Sequence, residues 1–172
     1  MLIMIIIVSG LPGSGKSYFA SRLSRLIHAD YINSDRIRKS LFPTRSYSEK
    51  EKSSVYDEML KLMRQAIVQN KDLVLDATFY ANDIRKRFTD EAKDGDIVFI
   101  EIVAEEAVIK ERLKQKRVDS EADFEVYKLI KEQWEPLQEH QLKLVSSDNN
   151  IEDMLHKAVD YLKLRNDKRT DC

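Results

Sequence analysis

Along the chain, continuous apolar runs alternate with stretches in which apolar residues recur every three or four positions. The runs predict β-strands over residues 3–8, 30–33, 73–77 and 97–103, with a weaker one over 142–145. The spaced patterns predict helices at about 16–28, 51–69, 81–93, 105–117, 121–134 and 151–164. Strand and helix in turn is the pattern of a three-layer α/β fold built on a parallel sheet. The opening run MLIMIIIVS is apolar at nearly every position. A parallel strand covered on both faces reads this way. Glycines cut the run off before it is long enough to cross a bilayer, and it has no charged leader or small-residue cleavage site.

Two stretches depart from the rhythm. FPTRSYSEKE, residues 42–51, is polar, contains Pro43 and reads as a loop leading into the next helix. KERLKQKRVDSEAD, residues 110–123, is charged enough to read as a solvated helix end. Trp134 shares helical spacing with Val126, Leu129, Ile130 and Leu137, which predicts a core face there.

A length of 172 residues is the size of one domain, and residues 1–172 are expected to form a single one. Hydrophobic residues make up 42% and charged residues 34%, as in a soluble globular protein. The 29 Lys and Arg against 30 Asp and Glu leave a net charge of −1, so no overall field draws in nucleic acid. The sole cysteine, Cys172, permits no intrachain disulfide, and a reducing cytoplasmic setting without membrane attachment is expected. His28, His140 and His156 show no metal-ligand spacing.

Chemistry enters where the first strand ends. Gly10-Leu-Pro-Gly-Ser-Gly-Lys-Ser17 satisfies G-x-x-x-x-G-K-[ST], the phosphate-binding P-loop, and it sits between a buried-type strand and a helical pattern as that loop requires. Three of the four glycines, Gly10, Gly13 and Gly15, fall within these eight residues. Backbone amides around Ser14 and Gly15, and the helix start at Lys16, Ser17 and Tyr18, would then face a nucleotide triphosphate. Lys16 would reach the β- and γ-phosphates, and the Ser17 hydroxyl would ligate Mg²⁺.

Other P-loop classes fit less well. Asn70-Lys71-Asp72 mimics the base-reading motif of a GTPase but precedes a strand instead of following one. A ring ATPase would end its apolar strand in adjacent acids, whereas Leu73-Val-Leu-Asp76 carries one. What remains is a small phosphotransferase, in which catalysis is mostly positioning and charge neutralisation. Asp35, just after the second strand, could accept the proton of an attacking hydroxyl or could cap the following helix; Arg38 could clamp an anionic group of the acceptor. Asp76 ends the third strand, where an acid would lie near Mg²⁺, with Thr78 and Arg85 beyond it. Arg85 reads equally as an acceptor contact or a solvated helix residue. Arg112 and Arg117 are placed for a lid, at approximately 112–124, that would lower a guanidinium onto the phosphates. Asp148-Asn149-Asn150, after the weak fifth strand, could border the adenine.

Taken in order, GLPGSGKS, NSDRIRKSLF, YSEKEKSSVYDEM, VLDATFYANDIRKRF, ERLKQKR with SEADFEVYKLI, and LKLV resemble the polynucleotide-kinase-like P-loop kinases of the AAA_33 or zeta-toxin-like group. The resemblance covers nearly the whole chain. It implies a five-stranded sheet of order 2-3-1-4-5, Mg-ATP as donor and a hydroxyl as acceptor. It also implies Asp35 as general base, Arg38 on the acceptor's phosphate and Arg117 on the donor. Relatives in this group phosphorylate nucleic-acid 5′ ends, antibiotics, sugars and nucleotide-sugars, so the fold does not choose the acceptor. The expected function is an Mg-ATP-dependent kinase, with a nucleic-acid 5′-OH placed slightly ahead of a small metabolite. The alternatives are a small-molecule kinase and an ATP-binding switch module that is no kinase. Oligomeric state is not written in the sequence.

Overall fold

A computed structural model describes residues 3–46, 48–92, 96–115, 122–138 and 140–170. Strand β1 (Met4–Ser9) leads through the glycine-rich loop into α1 (Lys16–Leu26), followed by β2 (Asp30–Asn33), α2 (Ser34–Leu41) and α3 (Glu49–Val68). Then come β3 (Leu73–Asp76), α4 (Asn82–Ala92), β4 (Asp96–Val103), α5 (Glu106–Leu113), α6 (Phe124–Gln133), β5 (Gln141–Val145) and α7 (Ile151–Thr170). The five strands form one parallel sheet of order β2-β3-β1-β4-β5, the expected architecture.

The continuous apolar character of β1 follows from its place at the centre of the sheet, where all six residues are buried. Side chains alternate between faces. Ile5 and Ile7 join a core with Val55, Met59 and Met63 of α3 and Phe88 of α4. Met4, Ile6 and Val8 join a second core with Phe19 and Leu23 of α1 and Met154 and Leu155 of α7. Each such aliphatic side chain, once fully buried, contributes about 1.5–3 kcal/mol. The two edge positions explain why β2 and β5 are the least apolar strands.

Three expectations change. β3 stops at Asp76 rather than 77, although the Ala77 amide still donates to the Val8 carbonyl. The short helix α2 has its N-cap at Asn33, whose side chain accepts from the Arg36 amide at 3.0 Å. Asp35 is therefore not the cap. Of the core face expected around α6, Leu137 just beyond the helix packs against the first core, but Leu129 is exposed, Trp134 is half-buried and Tyr127 is the buried residue of the helix itself. Among the described residues no helix is long and apolar enough to cross a membrane.

Candidate functional site

Parallel pairing lines up the carboxyl ends of β1, β3 and β2, with Val8 beside Asp76 and Asp76 beside Asn33. Open α/β sheets bind ligands at these ends. The P-loop leaves β1 there and closes onto α1, whose first turn is unoccupied by any acidic residue and whose N-cap is Gly15. Gly15 has φ +92°, and a Cβ on it would lie 2.8 Å from Ser146 Oγ and 3.2 Å from an Arg112 nitrogen. Both the backbone angle and the space therefore call for glycine.

A cavity of ≈ 370 Å³ opens beside this loop, bounded by Gly13, Gly15, Lys16, Ser17 and Tyr18 and, across from them, by Arg112 and residues of the segment after β5. Asp148 and Asn150 lie on its wall. Tyr18 stands 55% exposed at the mouth, with the Arg22 guanidinium stacked 3.4 Å from its ring centroid. Arg112, at the end of α5, is not a free finger. It donates to the carbonyls of Gly13 (3.4 Å) and Ser14 (3.2 Å), to Ser146 Oγ (3.1 Å) and to Asp148 (3.3 Å), joining the P-loop to the β5–α7 connection. Arg117 lies outside the described residues.

On the other side of Lys16 is a smaller cavity, ≈ 50 Å³, which Lys16 also lines. Asp35, Arg38, Lys52, Thr78 and Tyr80 give it polar edges, while Val55 and Tyr56 of α3 and Ala122, Val126 and Ile130 at α6 give it apolar walls. The helical apolar stripe on α6 thus serves a cavity, not the core. Arg38 Nη1 lies 2.9 Å from Asp35, and its Nε lies 3.0 Å from Glu51. Glu51, 3% exposed, also accepts from the Ser46 amide (2.7 Å) and hydroxyl (2.9 Å). Nothing in the sequence distinguished Glu51 from the other charged residues opening α3.

Asp76 is wholly buried. Its Oδ2 accepts from the Tyr31 hydroxyl and from Asn33 Nδ2, each at 2.6 Å. Its Oδ1 is buried with no hydrogen bond of ordinary geometry. Burial raises its pKa above the usual carboxylate range, opposed by the Lys16 charge and by the Tyr31, Ser17 and Asn33 side chains. A buried acceptor oxygen left open beside the Ser17 hydroxyl and Lys16 is a donor set suited to a hard cation such as Mg²⁺. Oxygen chemistry fits; among the described residues no cluster of three His, Cys, Asp or Glu offers another metal site.

Arg85 is the predicted site residue that the fold sends elsewhere. Its side chain is fully buried and lines neither cavity. It donates to the carbonyls of Phe79 (2.7 Å), Glu135 (3.0 Å) and Pro136 (3.2 Å) and to Asn82 Oδ1. Neither the acceptor contact nor the solvated helix residue expected of it is what the structure contains. Arg85 instead secures the loop after β3, where buried Phe79 holds φ +50°, a conformation uncommon for a bulky residue. That loop presents Thr78 and Tyr80, on either side of Phe79, to the smaller cavity.

Sheet order, P-loop geometry and paired cavities define a P-loop kinase-like domain. Residues 5–137 match the AAA_33 family, described as an AAA domain, and the chain belongs to it. Solved structures share the fold at low identity. The sugar kinase of Janibacter sp. HTCC2649 is 13% identical with a TM-score of 0.71, covering 95% of each chain. The gluconokinase of Sinorhizobium meliloti 1021 is 15% identical with a TM-score of 0.69, covering 95% of this chain and 98% of its own. The Mycobacterium tuberculosis APS kinase in complex with AMPPNP and APS is 17% identical with a TM-score of 0.71, covering 94% and 98%.

Proposed function

We propose that this protein is an ATP-dependent kinase that transfers the γ-phosphoryl group to a hydroxyl of a small molecule. The observation that carries the reading is that two cavities meet at Lys16, one against the P-loop and one containing the Asp35 carboxylate. The triphosphate would occupy the first, with its terminal phosphate at Lys16. An acceptor hydroxyl in the second would lose its proton to Asp35 as its oxygen bonds phosphorus and ADP departs with the other bonding pair. Arg38, anchored from behind by Glu51, would hold the acceptor and share Asp35 with it. Mg²⁺ held by Ser17 and Asp76 would neutralise charge on the phosphates.

A small acceptor is favoured over a nucleic-acid 5′ end. The cavity is ≈ 50 Å³, and Ala122, Val126 and Ile130 add apolar surface to it beside Lys16, Arg38 and Lys52. The similarity to kinases of sugar, gluconate and APS points the same way. A screen with γ-labelled ATP across sugars, sugar acids, hydroxylated antibiotics and 5′-OH DNA and RNA is the test. Label on a small molecule and none on the oligonucleotides is the expected result. Salt-sensitive labelling of oligonucleotide ends would restore the nucleic-acid reading, and hydrolysis without any labelled acceptor would favour a switch module.

Substitution at Gly15 tests the donor half separately. A side chain at φ +92° costs about 1–2 kcal/mol in backbone strain, before the contact with Ser146 is relieved. Gly15→Ala is expected to weaken ADP binding about tenfold, measured by titration calorimetry. Unchanged affinity would mean that the loop does not hold the nucleotide in this conformation.

A further inference from the structure

We propose that Tyr31 and Asn33, at the carboxyl end of β2, are positioning residues for the divalent cation of the nucleotide complex. They clamp one oxygen of Asp76 so that the other is presented to the metal. This inference rests on the larger cavity being a metal-nucleotide site.

The strand register explains why these side chains meet. Tyr31 pairs with Val74 and Asn33 with Asp76, and residues two apart on a strand share a face. Tyr31, Asn33 and Asp76 therefore project to the side of the sheet that carries α1 and Ser17. The Tyr31 hydroxyl has one proton and donates it to Asp76 Oδ2 at 2.6 Å, while its oxygen accepts from Asn33 Nδ2 at 3.2 Å. The same Asn33 amide reaches Asp76 Oδ2 at 2.6 Å and Ser17 Oγ at 3.4 Å. Each donor in this chain strengthens the next.

A fully buried carboxylate aims an oxygen at a cation only if it does not rotate. Two short bonds converging on Oδ2 hold it in place, and they leave Oδ1 buried with no hydrogen bond of ordinary geometry, beside the Ser17 hydroxyl. Asn33 does a second job: its Oδ1 caps α2, the helix that carries Asp35 and Arg38. One side chain thus joins the metal carboxylate to the acceptor helix.

Tyr31→Phe removes only the hydroxyl and is the cleaner variant. Mn²⁺ binding to the full chain, titrated by electron paramagnetic resonance with AMPPNP present, is expected to weaken roughly 10-fold or more, as for other partners of metal-ligating groups. ADP affinity in EDTA should change little. Asn33→Ser, which keeps an oxygen able to cap α2 but loses the amide, should shift Mn²⁺ affinity in the same direction. Wild-type Mn²⁺ affinity in Tyr31→Phe would overturn the inference. So would an equal loss of metal-free ADP binding, which would mean a disturbed P-loop rather than a misaimed carboxylate. If the unaltered protein binds AMPPNP without taking up Mn²⁺, the metal-nucleotide reading fails at its source, and the inference falls with it.

Discussion

Replacing Asp35 by Asn is expected to slow phosphoryl transfer by roughly 10²–10⁴-fold while leaving nucleotide affinity nearly unchanged. The carboxylate belongs to the smaller cavity, and Lys16 separates it from the larger one. An amide cannot take the hydroxyl proton, so the attacking oxygen would have to reach phosphorus still protonated. Structural side effects should be small. The amide oxygen can still accept from Arg38 Nη1, now at 2.9 Å, and the α2 N-cap is Asn33, not Asp35. Loss of a negative charge in the first helical turn costs about 0.3–1 kcal/mol of stability, well below what would unfold the domain. Single-turnover transfer from labelled ATP, paired with ADP titration, separates the effects. Transfer at the wild-type rate would remove Asp35 from the chemistry, and a parallel loss of ADP binding would mean that the two cavities are not independent.

The sheet and the P-loop were legible because their signals are local. β1 is apolar at consecutive positions because it is covered on both faces, and its end at Gly10 is marked by a change of residue type. Asp76 ends a strand and Asp35 and Arg38 come just after one, and a parallel sheet brings such ends to one edge wherever its helices go. The residues that escaped notice depend on contacts distant in sequence. Glu51 looks like an ordinary acid in the first turn of α3, yet its oxygen lies against Arg38, thirteen positions earlier. Tyr31 and Asn33 read as an edge strand's mixed polarity, and only pairing with β3 puts them on Asp76. On α6 the pattern is legible in the sequence but its meaning is not. Helical spacing of Val126 and Ile130 shows that a face is apolar, and an apolar face covers a cavity as readily as a core.

Arg85 is the sharpest case of that limit, and it carries the largest stability prediction. Arg85→Ala is expected to destabilise the domain by roughly 3–5 kcal/mol, because it leaves the buried Phe79 carbonyl desolvated at about 1–3 kcal/mol and empties the space of a fully buried side chain. The carbonyls of Glu135 and Pro136 would lose the same donor. For a chain of this length the melting temperature should fall by on the order of 10 °C. Arg85→Lys should recover only part of the loss, since an ammonium lacks the planar fork that joins the Phe79 carbonyl to the Glu135 carbonyl, fifty positions beyond Arg85. The Glu135 amide donates to the Tyr80 carbonyl at 2.8 Å, and the Glu135 carboxylate accepts from the Asn82 amide. Arg85 therefore works within a seam joining the loop after β3, whose Thr78 and Tyr80 line the smaller cavity, to the chain leaving α6, the helix whose Val126 and Ile130 also line it. Denaturant unfolding of both variants measures the seam directly, with Trp134, adjacent to Glu135 and the chain's only tryptophan, as the reporter. A loss in Arg85→Ala within the small range of ordinary surface substitutions would mean that the buried guanidinium is replaceable, and that the strained turn at Phe79 is held by its aromatic packing against Tyr56 and Phe88 and by its amide's hydrogen bond to the Tyr56 hydroxyl.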